Sequence, residues 1–136
     1  MKFTLFIACM LTLLHTHAQY TFYASGKNLI NMETKEEVGY EPTNEVFNIS
    51  FPDGILVHNI MDEYGVSESQ FYKITEVENK DDLILFTALS GISGSSYYYV
   101  IQNHEDAHLL YLLYKEENSA IQFESTFVKL KTFSQP

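Results

Sequence analysis

The chain has one cysteine, no tryptophan and no arginine in 136 residues. Cys9 lies inside the N-terminal apolar segment, which reads as a cleaved leader, so the remaining domain has no disulfide, no thiol nucleophile and no thiolate for a metal. An exported domain without disulfides is held by its core alone. Eight lysines face eighteen acidic residues, for a net charge of −10, and no basic run occurs. That balance excludes nucleic acid and anionic membrane surfaces as partners. The six glycines form no phosphate cradle, because Gly91 and Gly94 in SGISGSS are followed by neither a lysine nor a helical pattern. The G-x-S-x-G nucleophile elbow and the D-x-D-x-D-G calcium loop are also missing. Asp81-Asp82, Glu105-Asp106 and Glu116-Glu117 are neighbours in turn-like segments, whereas paired catalytic carboxylates come from separate elements facing one cleft.

Long apolar runs are scarce as well. The longest, Phe3–Leu14, falls short of the ~20 residues a spanning helix needs, so no stable membrane anchor is expected. Lys2 before it and Thr16-His17-Ala18 after it complete the pattern of a signal peptide over residues 1–18. Residues 19–136 then form a single β-rich domain, exported to a bacterial periplasm or secreted.

What the chain does have is aromatic residues, ten Phe and ten Tyr. From Val46 onward they fall into short strand-like runs about 10–13 residues apart, separated by turns. Phe47, Ile49 and Phe51 alternate with polar residues, Pro52-Asp53-Gly54 is a turn, and Ile55–Ile60 returns, which makes residues 46–60 a hairpin. His58 in that return strand reads as a surface or cross-strand residue. A polar connection is expected over Met61–Ser69. Strands follow at Phe71–Val77, with Tyr72 and Ile74 on one side and Phe71, Thr75 and Val77 on the other, and then at Leu83–Leu89, Tyr97–Gln102, Leu109–Tyr114 and Ala120–Phe123. A last strand or tail is expected at Phe127–Phe133. The first third is less regular: a strand at Tyr20–Ala24, a turn at Ser25–Asn28, a short strand at Leu29–Met32, and an irregular segment around Pro42. The predicted fold is all-β, an antiparallel up-and-down meander closing into a small barrel or a strongly curved sheet.

In strand number and size this pattern resembles the lipocalin and fatty-acid-binding class. The tryptophan near the first strand that typifies lipocalins is absent, so the resemblance is one of topology.

One string looks like chemistry. His104-Glu105-Asp106-Ala107-His108 matches H-E-x-x-H, in which two histidines one helical turn apart bind zinc and the glutamate acts as base. Two such histidines converge on one ion only in a helix, since four residues of strand span ~13 Å. Leu109–Tyr114 is an unbroken apolar hexamer with no polar face, and Tyr97–Ile101 before it is aromatic and β-branched, so a loop and a strand are expected here.

The runs 83–89, 97–102 and 109–114 are apolar on both faces, so their second faces need cover from the N-terminal third, a second copy, a protein partner or an apolar ligand. Three functions are compatible with these residues. The first is a non-enzymatic binding domain that meets a protein partner, or its own copy, through a surface containing Tyr97, Tyr98, Tyr99, Tyr111 and Tyr114. The second is a carrier with a small apolar ligand inside the barrel, which calls for a cavity of ~300 Å³ or more. The third is a zinc hydrolase using His104, Glu105 and His108. The first is the expectation carried forward, with no catalytic residue, metal or cofactor assigned and no ligand-binding residue named.

Overall fold

The computed structural model describes residues 19–103 and 108–128, with side chains as far as Phe123. Residues 1–18, where a signal peptide is expected, His104–Ala107, and the residues beyond Val128, where the last expected strand or tail continues, lie outside the described residues. Eight antiparallel strands follow one another around a closed barrel: β1 (Gln19–Asn31), β2 (Glu37–Ser50), β3 (Ile55–Asp62), β4 (Gly65–Lys80), β5 (Leu83–Ser90), β6 (Ser96–Asn103), β7 (His108–Tyr114) and β8 (Ser119–Val128). β1 closes the ring by pairing with β8 from Thr21↔Val128 to Asn31↔Ser119. Closure leaves no free sheet edge, which is how a chain of meandering strands avoids pairing with its neighbours.

The expected hairpin at 46–60 is present. Its turn is held by the Gly54 amide donating to the Phe51 carbonyl (3.2 Å) and by Ser50 Oγ donating to Asp53 Oδ2 (2.7 Å), with Gly54 at φ +66°. Alternation then aims Phe47, Ile49, Leu56 and His58 inward.

Five local expectations are corrected. Ser25–Asn28 is not a turn: β1 runs through it, with Ser25 as the extra residue of a bulge between Ala24 and Gly26. Pro42 does not interrupt the chain either. It lies within β2 opposite that bulge, paired with Gly26, where the ladder is already irregular and a missing N–H costs little. Met61–Ser69 is not a connection, since β3 reaches Asp62 and β4 starts at Gly65. Ala120–Phe123 and Phe127 belong to one strand, β8. A further bulge at Thr75 in β4 shifts the alternation so that Val77 pairs with Phe86 and shares its side of the sheet, opposite to the expectation from strict alternation.

Closing the ring covers one face of the doubly apolar strands, while Leu85, Val100 and Leu113 of their second face lie on the outside of the barrel. Ile84, Phe86, Ala88, Tyr99, Ile101, Leu110 and Leu112 face the interior with Phe22, Phe47, Ile49 and Leu56 from the N-terminal half. At the end where β1 begins and the β2–β3 turn lies, the interior is plugged by rings: Tyr20 stacks on Phe22, Phe51 meets Tyr20 edge-on, and Phe51 meets Phe86 the same way at 5.3 Å. Toward the other end, where the β1–β2, β3–β4, β5–β6 and β7–β8 turns lie, the interior turns polar and opens.

Candidate functional site

Alternation that continues past the hairpin's apolar positions puts a carboxylate inside the barrel. Glu45 shares its side of β2 with Phe47 and Ile49, and is 2% exposed. Its partners come from neighbouring strands. His58 pairs with Phe47 in the ladder and stacks flat on that ring at 4.2 Å, which directs Nε2 to Glu45 Oε1 at 2.7 Å. Lys27 reaches Oε2 at 3.1 Å, and Thr43 Oγ1 donates to the same oxygen at 2.8 Å. Strict alternation from Phe22 and Ala24 would turn Lys27 outward. The extra residue Ser25 reverses it, so the bulge puts the ammonium inside.

Burial alone would push the Glu45 carboxyl up. The hydrogen bonds from His58, Thr43 and Lys27, together with the Lys27 charge, outweigh it and hold the group at about 2. Glu45 is therefore an anion, and His58 Nε2 must carry the proton it donates to it.

Above this cluster is a cavity of about 170 Å³, lined by Lys27, Glu45, His58, Gln70, Tyr72, Tyr97, Tyr99, Leu112, Tyr114, Ile121 and Phe123. It is a half-open cup in the mouth of the barrel, and a separate depression lies beside it along the β1–β2 hairpin, past Leu29, Gly39 and Glu41. An eight-stranded barrel has room either to fill its interior with side chains or to hold one small ligand, and here the two ends do one each.

Four tyrosines ring the cup. The Tyr72 hydroxyl donates to Gln70 Oε1, and the Tyr72 and Tyr97 rings meet edge to face at 5.6 Å. Tyr99 is held tightest. Its ring stacks on Phe86 at 5.3 Å, meets Phe47 edge-on at 6.5 Å, and the residue is only 3% exposed. Among the described residues its hydroxyl has no hydrogen-bond partner. Desolvation pushes the Tyr99 hydroxyl far up, and the neighbouring Tyr72, Tyr114 and Tyr97 hydroxyls and the Glu45 carboxylate add to the shift. Tyr72 and Tyr114 are raised for the same leading reason, with Glu68 and Glu117 adding to the respective effects. All three stay protonated donors at neutral pH.

The five tyrosines expected on a contact surface are divided between two sides. Tyr97, Tyr99 and Tyr114 line the cup. Tyr98 faces outward with the Lys115 ammonium over its ring at 4.2 Å, and the Tyr111 hydroxyl, also outside, accepts from Gln122 and donates to Gln102. A larger depression of about 470 Å³ crosses this outer face over Leu85, Thr87, Tyr98, Val100 and Leu113. Its polar lining is Glu76, Glu78, Thr87 and Lys115 at the surface, whereas the inner cup brings the buried Glu45 and His58 together with Lys27, so the smaller inner cup is the better-built site.

Of the zinc-like string, His108 opens β7 in extended backbone, with Nδ1 2.6 Å from Asn103 Oδ1. His104 and Glu105 lie outside the described residues. Among the described residues no cluster of three metal-ligating side chains occurs.

No family model matches this chain, and no curated protein or solved structure matches it either.

Sequence reasoning did not find Lys27, Glu45, Gln70 or Tyr72 as site residues, and it left His58 as a cross-strand residue. A signal was available for two of them. Glu45 and His58 occupy inward positions on facing strands of the clearest hairpin, in series with Phe47, Ile49 and Leu56. An ionisable residue on the apolar face of both partners marks a polar interior. Nothing local marks Lys27, because its orientation depends on the bulge.

Proposed function

We propose that this protein is an exported, non-enzymatic binding protein that holds a small molecule in the open end of its barrel. The observation that supports this most is the Tyr99 hydroxyl: buried, fixed by two rings and unpartnered among the described residues, beside a cavity that the rest of the core does not fill. Buried polar groups are almost always paired, and leaving one open costs about 1–3 kcal/mol, so such a group in a cavity is expected to have a partner from solution. The cup is small and partly polar, which suits a compact ligand better than a fatty acid chain. A carboxylate–histidine pair also occurs in acyl-transfer sites, but no serine, threonine or cysteine lines this cup to act as nucleophile. A tyrosine contact surface has less to recommend it, since only Tyr98 and Tyr111 of the five face outward. Export is supported by Lys2, the apolar Phe3–Leu14 and Ala18.

The test is a fragment screen by ligand-observed NMR on the full-length domain, repeated on Ile121→Trp, which places an indole in the mouth. Fragments that bind the unaltered protein and are lost from a folded Ile121→Trp support the cup. Fragments that bind both equally place the site elsewhere and refute it.

A further inference from the structure

We propose that the cup selects an uncharged small organic molecule bearing a carbonyl- or amide-type oxygen, which accepts a hydrogen bond from the Tyr99 hydroxyl. This rests on the reading that the cup is a binding site, and adds what it binds.

The hydrogen-bonding ledger of the cup is one-sided. Each oxygen of its strong acceptors already takes at least one bond: Glu45 Oε1 from His58, Oε2 from Lys27 and Thr43, and Gln70 Oε1 from Tyr72. The Tyr99 hydroxyl proton is left over, and within the described protein it has no acceptor. A ligand that completes this site therefore brings an acceptor.

Charge narrows the choice. Lys27 and Glu45 form a pair that neutralises itself, so the cup presents no uncompensated cation to an anion. The approach is acidic instead: Glu41 lies along the hairpin side of the mouth, while Glu68 and Glu117 act on Tyr72 and Tyr114. An anion meets that field, and a cation that passes it into the cup meets the Lys27 ammonium, where both Glu45 oxygens are already bonded to His58, Lys27 and Thr43. A neutral molecule escapes both penalties. Leu112, Ile121 and Phe123 supply the apolar wall for its body, and ~170 Å³ limits that body to about one ring.

Four probes of one size and different chemistry decide this on the full-length domain: benzamide, benzoate, benzylammonium and toluene, titrated at low salt and followed by two-dimensional NMR. Benzamide is expected to bind best, shifting amides of Tyr97, Tyr99 and Leu112, and Tyr99→Phe is expected to weaken it about tenfold, the loss typical of one hydrogen bond. Benzoate or benzylammonium binding more tightly in the same place overturns the neutral-ligand assignment and leaves the cup as a site. Toluene binding as well as benzamide overturns the role of Tyr99. If none of the four shifts the cup at millimolar concentration, both this inference and the binding function fall. The ranking on the unaltered chain stands without the variant, should Tyr99→Phe fold poorly.

Discussion

Replacing Glu45 by glutamine tests whether the interior cluster is an ionic one. A glutamate has an ordinary value of 4.5, and Glu45 is held at about 2 in the folded protein. That difference corresponds to about 3 kcal/mol of stability carried by the ionised side chain. Lys27 is 28% exposed and can regain water when its partner is lost, so about 2–3 kcal/mol is the expected cost of Glu45→Gln at pH 7. The direction with pH follows from the lowered value. The contribution is full well above 4.5, where the unfolded chain is also ionised, and it is lost as pH falls through 4.5 toward 2, where folded protein must take up the proton as well. Glutamine has no proton to bind, so the other acids cancel between the two proteins and the gap isolates Glu45. Urea unfolding of both at pH 7, 5 and 3, followed by far-UV circular dichroism, should show the gap narrowing by about 2 kcal/mol between the first and the last. A gap of the same size at pH 7 and pH 3 would refute an ionised, paired Glu45.

Three further outcomes follow from the same geometry. Tyr99→Phe, made without ligand, should raise stability by about 1 kcal/mol in urea, because it removes a buried hydroxyl with no partner among the described residues; a loss of that size would show that the hydroxyl is already satisfied. Phe47→Ala should cost about 3–5 kcal/mol, since that fully buried ring packs on both His58 and Phe123, whereas Phe71→Ala, 59% exposed on the outer face, should change the urea midpoint little; similar losses from the two would place the core elsewhere. Gly54→Ala, at φ +66°, should lose about 1–2 kcal/mol by thermal unfolding, while Gly39→Ala, with open space around its Cα and no positive φ, should be neutral or slightly stabilising.

The outcome at Lys27 shows where a local reading stops. Ser-Gly-Lys-Asn has the composition of a turn, yet β1 passes straight through it because β2 and β8 are paired on both sides. Gly26 is tolerated mid-strand because the Tyr40 ring lies where its side chain would be. Pro42 likewise signalled a break, and the bulge opposite it removed the need for its hydrogen bond. Turn chemistry describes what a segment can do alone, and long strands closing a ring override it. The hairpin at 46–60 was readable because alternation and turn agree there. The string around His104 could be tested by geometry before any coordinates, and His108–Tyr114 is strand, as the apolar hexamer implied.

By itself the sequence determined the class of fold and where most strands run, because alternation of apolar side chains and the chemistry of short turns act over a few residues. It also showed no glycine-rich phosphate loop, since neither a lysine nor a helical pattern follows Gly91 and Gly94. Only the tertiary structure decided which tyrosines face inward and that Lys27, Glu45 and His58 meet beneath them. Those outcomes depend on register and bulges, and a single extra residue at Ser25 turns a lysine from solvent to the interior. The pairing of distant strands sets that register, and no short stretch of the chain contains it.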